Sequence, residues 1–224
     1  EELKTFAYSI SHDLKAPSNT LDLLLSEIES VHGADLPDEV SHLLDLSHQT
    51  VHRMQSLIED VLDYTRVVGE TITLEPVSLD DLVASVVEDQ RGAMSDTGAE
   101  VDIQRLPAVL GHRTHIRILF QNLISNALKY QQPGARPRIA IAETTRPRDT
   151  LCAITVTDNG IGIPANQQER IFNMFQRLYG DETYTGTGLG LAICKRIAVS
   201  HGGEISVDSR MGEGSAFTVT LQRA

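Results

Sequence analysis

The sequence contains no tryptophan, and aromatic residues make up only 4% of its 224 positions, so any core must be built mainly from Leu, Ile, Val and Ala. Cysteine is nearly absent. Cys152 and Cys194 lie far apart, each inside an apolar segment, which reads as two packed thiols in a reducing, cytoplasmic compartment rather than a disulfide framework. There is no long basic run, and 19 basic against 31 acidic residues leave a net charge of −12. Such a surface repels DNA, RNA and anionic membranes, so neither a nucleic-acid partner nor membrane contact by this segment is expected. No apolar stretch approaches the length of a bilayer span, and no signal peptide is visible. Internal repeats and low-complexity segments are missing too. The chain opens at Glu1 already in helical pattern, with neither Met nor a cap, and the expectation is a fragment that lacks something upstream.

What is present is ordinary for a globular protein: 41% hydrophobic and 22% charged residues, in a length that admits one or two domains. The first part predicts two helices. Leu3, Phe6, Ile10, Leu14, Leu21, Leu24 and Ile28 recur at helical spacing, a break follows over 32–38, and Val40, Leu43, Leu44, Val51, Met54, Ile58 and Val61 form a nearly heptad pattern that runs out near Gly69. Two long amphipathic helices on a short loop make an antiparallel hairpin. One hairpin cannot bury both stripes, so a homodimeric four-helix bundle is expected, with packing on the rest of the chain as the alternative.

From about Thr71 onward helices and strands mix. Helices are predicted over 78–90, 112–130 and 189–201, the last stopped by Gly202 and Gly203. Strands are predicted at 139–141 and 151–157, and two more where Ile205/Val207 and Phe217/Val219/Leu221 alternate with polar residues. This order suggests an α+β sandwich, one sheet covered by helices.

Four constellations carry chemistry. His12 stands in Ser11-His12-Asp13-Leu14-Lys15-Ala16-Pro17, roughly 160° around the helix from the apolar stripe, so its ring is expected to point away from the bundle core. The Asp13 carboxylate could hold Nδ1–H and leave the Nε2 lone pair as a nucleophile. Taken alone, an exposed helical histidine is usually only solvated. Next, Asn122, Asn126 and Lys129 share a helix stripe at i, i+4 and i+7, with Tyr130 just after. Amide oxygens suit Mg²⁺ and a lysine suits phosphate; the plain alternative is a solvated helix edge. Third, Asp158 ends a strand with the parity of Ile154 and Val156, facing the covered side, and Asn159, Gly160, Ile161, Gly162, Ile163 and Pro164 follow. A carboxylate there needs a partner. The exocyclic amine of adenine is a donor that guanine lacks at that place, and the glycines let backbone approach the base. Otherwise the segment is a common turn. Fourth, Gly186, Thr187, Gly188, Leu189, Gly190 and Leu191 open a helix, a backbone anion site for phosphates that is neither a Walker loop nor a dinucleotide fingerprint. Before it, Phe172 and Phe175 flank a polar stretch, 176–185, that reads as a lid, or as an ordinary loop held by two core phenylalanines.

Together and in this order, these pieces resemble the sensor histidine kinase family across nearly the whole chain. Residues 6–17 resemble its H-box, 122–130 its N-box, 158–162 its first glycine box, 171–175 its F-box and 186–191 its second glycine box. Residues 212–217 resemble its last, where Ser215 matches the hydroxyl residue near adenine. The resemblance implies a dimerisation and histidine-phosphotransfer domain over 1–68 and a Bergerat-type ATP-binding domain over 69–224. His12 would be the phosphoacceptor and Asp13 its acidic neighbour, with Asn126 on Mg²⁺. ATP would be held by Asn122, Asn126, Lys129, Tyr130, Asp158, Gly160, Gly162, Gly186, Thr187, Gly188, Leu189, Gly190 and Ser215. It also implies an upstream sensor domain and phosphotransfer to the receiver domain of a response regulator. The run 175–217 is most similar to kinases of phytochrome-like and hybrid light or redox sensors. Two positions depart from the pattern. Ala16 stands where such kinases usually carry Thr or Asn for the phosphatase reaction, and Ser18 where an apolar residue is usual. Rival readings are another ATPase of the same fold (chaperone, topoisomerase or mismatch repair), which lacks the His-Asp-x-x-x-Pro helix, and an ATP-binding interaction module that does not phosphorylate itself.

Overall fold

The computed structural model of the protein describes all residues except 1, 34–35, 70–71, 145–148, 179–183 and 185, and for 2–13 and 69 the backbone only. The chain divides into two compact units, Glu1–Gly69 with Asp181–Thr187, and Glu70–Gly180 with Gly188–Ala224.

The first unit is built on α1 (Glu2–His32) and α2 (Asp38–Gly69). Helix α1 runs unbroken through Pro17. Pro37 precedes α2 and its carbonyl accepts the N–H groups of Val40 and Ser41, while Asp38 and Glu39 place negative charge at the positive end of the helix. The hairpin is antiparallel, since Lys15 pairs with Glu59, Asn19 with Gln55 and Asp22 with His48. Leu44, Val51 and Ile58 are buried at seven-residue spacing and form the seam of α2. Each such side chain contributes about 1.5–3 kcal/mol when fully buried. Ser18 is also fully buried, and its hydroxyl finds no hydrogen-bond partner among the described residues. Leu21, Leu24, Ile28, Leu43 and Leu46 remain exposed, so the second apolar stripe is uncovered within one hairpin, as the pattern predicted.

The second unit holds a five-stranded sheet in the order β2-β4-β5-β7-β6: β2 (Glu100–Ile103), β4 (Arg138–Glu143), β5 (Leu151–Asp158), β6 (Ile205–Arg210) and β7 (Gly214–Gln222). Only the β2–β4 pair is parallel. A separate antiparallel pair joins β1 (Glu75–Ser78) to β3 (Ala108–Gly111). The helices are α3 (Leu79–Asp89), capped by the Ser78 side chain, the short α4 (Arg91–Thr97), α5 (Arg113–Lys129) and α6 (Gly190–Ser200). Two single 3-10 turns, Ala165–Gln167 and Arg170–Phe172, precede α6.

The core lies between the sheet and the helices. Register stacks Ile141 beside Val156 and Val156 beside Phe217, and in the next row Ile154 beside Val219. These side chains are buried together with Leu119, Phe120, Leu123 and Ile193 from α5 and α6. On alternate positions Thr155 and Thr218 hydrogen-bond at 2.9 Å across the polar face. The expected helix-covered sheet is therefore present. Cys152 and Cys194 are buried free thiols.

Candidate nucleotide site

Helices α5 and α6 run antiparallel, and their offset creates the site. At one end the His112 N–H donates to His201 Nε2 at 2.9 Å, so the end of α6 abuts the start of α5. At the other end Gly190 lies against Asn122, where an added Cβ would stand 2.3 Å from the amide oxygen. Helix α6 thus starts beside the middle of α5. The last two turns of α5, with Asn126, Lys129 and Tyr130, extend roughly 10 Å further. They end at the turn after β5, where the Ile161 N–H donates to the Tyr130 carbonyl at 3.0 Å. The polar stripe of α5 therefore spans from the first turn of α6 to the glycine turn after Asp158.

The Asp158 carboxyl sits at the covered end of β5, as its parity predicted. Burial pushes it up to about 6, against the lowering effect of the Gly160 and Ser215 backbone groups that hydrogen-bond it. The Gly160 N–H donates to its Oδ1 at 2.8 Å. A Cβ at Gly160 would stand 2.2 Å from the Tyr130 carbonyl oxygen, and one at Gly162, with φ of +74°, 2.0 Å from the Arg210 carbonyl. Both glycines are required by close backbone approach. Ser215 pairs with Asp158 across β5–β7, is buried, and its hydroxyl lies 2.9 Å from that of Ser209.

Leu189 precedes α6 with no side-chain cap, and no acidic residue stands in its first turn. The orphan N–H groups of that turn suit an anion. Gly188 has φ of +76° and its carbonyl accepts the Phe175 N–H at 3.0 Å. Phe172 is buried, whereas Phe175 is 65% exposed with a positive φ, so only the first of the two is a core residue. The lid residues 179–183 and 185 lie outside the described residues. Gly186 and Thr187 group with the first unit, where the Thr187 hydroxyl donates to the Asp60 carboxylate. Lys129 places its ammonium 4.8 Å from the centroid of the Tyr130 ring, whose hydroxyl burial pushes toward the neutral form. The side chains of His12 and Asp13 lie outside the described residues; their backbone is helical within α1.

Sequence reasoning missed three contributors. The Ser209 hydroxyl donates to the Gly214 carbonyl at 2.7 Å and accepts the Ile163 N–H at 2.8 Å, which ties both glycine turns together. Its parity with Ile205 and Val207 was the available signal. The Gln132 amide donates to the Gly212 carbonyl, and Asn159 bonds the backbone of Arg136 and Arg138; neither has a pattern that marks it in advance.

Residues 111–224 match the family described as histidine kinase-, DNA gyrase B- and HSP90-like ATPase, and the chain belongs to that family of ATP-binding domains. Residues 2–70 match the His Kinase A (phospho-acceptor) domain. It is 37% identical to cyanobacterial phytochrome A of Nostoc sp. over 98% of this chain and 28% of that protein, and 36% identical to cyanobacterial phytochrome B of the same organism over 99% and 30%. The chain thus spans under a third of those relatives. Among solved structures, the mycobacterial sensor histidine kinase MprB superposes with a TM-score of 0.58 at 28% identity, over 67% of this chain and 98% of that one. Full-length ShkA in complex with AMPPNP gives a TM-score of 0.71 at 24% identity over 98% and 46%, a likeness of fold.

Proposed function

We propose that the chain is the kinase core of a cytoplasmic sensor histidine kinase, with 1–68 as dimerisation and phosphotransfer domain and 69–224 as catalytic ATP-binding domain. The observation that carries this reading is that a hairpin of the phosphoacceptor type and an ATPase-type site occur in one chain in that order. Two buried free thiols accord with the cytoplasmic compartment.

Adenine enters beside Asp158 and Ser215, its exocyclic amine donating to the ionised carboxylate, with Gly160 and Gly162 leaving room for the base. The phosphates run along the stripe of Asn122, Asn126, Lys129 and Tyr130 to the N–H groups of 188–190 at the start of α6. The donors fit Mg²⁺, because a carboxamide oxygen from Asn126 and phosphate oxygens are the hard ligands that ion prefers. When bound it would supply charge neutralisation for the γ-phosphate. His12 Nε2 attacks γ-phosphorus in line as the bond to the β-phosphate oxygen of ADP breaks, and Asp13 takes up the Nδ1 proton. The phosphoryl group then passes to an aspartate of a response regulator receiver domain.

Incubation with Mg-ATP labelled on the γ-phosphate tests this. Label should enter the protein as an acid-labile, base-stable phosphoramidate and be absent from His12→Ala, which should still bind ATP. Label retained at any other residue overturns the assignment, and an unlabelled wild-type chain leaves a bare ATPase or a binding module.

A further inference from the structure

Away from the nucleotide site, the hairpin carries a second cluster of coordinating groups. His48 and His52 stand at i and i+4 on α2, rings stacked at 6.2 Å, both facing Asp22 of α1. Asp22 Oδ1 lies 3.2 Å from His48 Nδ1 and 3.7 Å from His52 Nε2. One ligand atom from each of the three residues can be chosen so that all lie within 4.8 Å of one another.

The hydrogen bonds around the rings decide what these atoms present. The Gln55 side-chain amide donates to Asn19 Oδ1 at 3.2 Å, which leaves its oxygen facing His52 Nδ1 at 3.3 Å. His52 therefore carries its proton on Nδ1, and its Nε2 lone pair faces Asp22. His48 is caught between two carboxylates: Asp22 at Nδ1, and Glu29 Oε2 at 3.5 Å from a buried Nε2 that makes no hydrogen bond among the described residues. Either neutral tautomer sets one lone pair against a carboxylate. A proton on Nε2 directs that group at Glu29 and turns Nδ1, like His52 Nε2, toward Asp22 as a bare donor. Two imidazole lone pairs and a carboxylate then converge.

We propose that Asp22, His48 and His52 bind one divalent transition-metal ion, zinc by donor chemistry, and that Glu29 and Gln55 orient the two imidazoles from behind. Two nitrogens and one oxygen suit zinc and its neighbours, whereas calcium and magnesium demand more oxygen ligands. Paired histidines one helical turn apart are a recurrent zinc-binding face. Metal–ligand bonds of about 2.0–2.2 Å give a tetrahedral edge of about 3.3 Å, so small side-chain rotations close the site. A carboxylate behind a ligating histidine raises its basicity and fixes its ring. The bound ion would tie α1 to α2 about 15 Å along the helix from His12, and so restrain sliding of the two helices.

The test uses the full 224-residue chain, freed of metal by chelator, titrated with zinc by calorimetry and with cobalt by visible absorption. One equivalent per chain is expected, with tetrahedral cobalt bands and a raised thermal midpoint. His48→Gln and His52→Gln should each weaken binding at least ~10-fold and remove the cobalt bands, and Glu29→Gln should weaken it about 10–100-fold. His42→Gln, on the same helix outside the cluster, should change nothing. Circular dichroism reports folding, and because His52 and Glu29 are partly exposed those variants keep the test open if His48→Gln misfolds. No stoichiometric binding by wild type, or equal binding by the His48→Gln and His52→Gln variants, overturns the proposal and leaves the cluster as a contact between α1 and α2.

Discussion

Gly190 and Asn122 touch: the space a Cβ would take at Gly190 is already occupied by the Asn122 carboxamide, 2.3 Å away. That carboxamide cannot simply swing aside, because its NH₂ donates to the Ile118 carbonyl at 2.9 Å. Gly190→Ala should therefore push the first turn of α6 off α5. Overpacking of this kind costs about 1–3 kcal/mol, so the thermal midpoint should fall. ATP affinity should fall further than stability, since the displaced turn is the proposed phosphate site. Calorimetry on the folded variant checks this; unchanged ATP affinity would detach α6 from phosphate binding.

Asp158 should trade stability for binding. Its carboxyl is raised from 3.8 to about 6, so folding favours the neutral acid. Its contribution to stability is full below the unfolded value and is lost as pH rises through about 6. At neutral pH the buried charge costs about 1–3 kcal/mol, and Asp158→Asn should raise the unfolding midpoint there while abolishing tight ATP binding. For wild type, the proposed adenine contact needs the ionised form, so affinity should be flat above about pH 7 and weaken as pH falls through the raised value. Titration calorimetry across that range gives the answer, and a pH-independent affinity would remove Asp158 from the adenine contact.

Asn126→Asp should fail in a different way. The substitution leaves the adenine end intact and alters the group proposed to meet Mg²⁺. ATP affinity measured in magnesium should change, and affinity measured in chelator should change much less. Equal effects in both conditions would assign Asn126 to the nucleotide rather than the metal.

The uncovered stripe of the hairpin predicts its assembly. Leu24 is 56% and Leu43 61% exposed, and burial of one leucine contributes about 1.5–3 kcal/mol. Wild type should scatter light as a homodimer at micromolar concentration, and Leu24→Asp with Leu43→Asp should give a monomer that still binds ATP. A wild-type monomer would refute the four-helix bundle.

Ala16 bears on the reverse reaction. It is exposed, one helical turn after His12, and its methyl group can neither donate nor accept a hydrogen bond. Hydrolysis of a regulator's aspartyl phosphate needs a water aligned for in-line attack, and positioning supplies most of that catalysis. The His12→Ala protein should therefore not speed loss of phosphate from a phosphorylated regulator. Ala16→Thr in that background should accelerate it, and rapid hydrolysis without the added hydroxyl would show another group holding the water.

Much of the architecture was legible in the chain. The long helices α1, α2, α5 and α6 announce themselves because apolar residues repeat at helical spacing over many turns. The strands β4, β5, β6 and β7 were readable too, the last two from alternation, and the inward parity of Asp158 and Ser209 follows from the same rule. Short elements were not. The four-residue strands β1, β2 and β3 carry too few residues for a period to emerge, and β2 is held by a parallel partner more than thirty residues away in sequence.

The residue types proposed for adenine, phosphate and phosphoacceptor chemistry were read from the sequence itself, because glycine, aspartate and asparagine at those spacings are local backbone and side-chain requirements. Three things were decided only in three dimensions. The offset of α6 along α5 leaves the Asn126–Tyr130 stripe open, and it depends on helix packing between residues some seventy positions apart. The raised titration of Asp158 depends on how much water the surrounding chain removes. The meeting of Asp22 with His48 and His52 depends on hairpin register, since no short-range pattern relates residues that a turn brings back together from opposite helices.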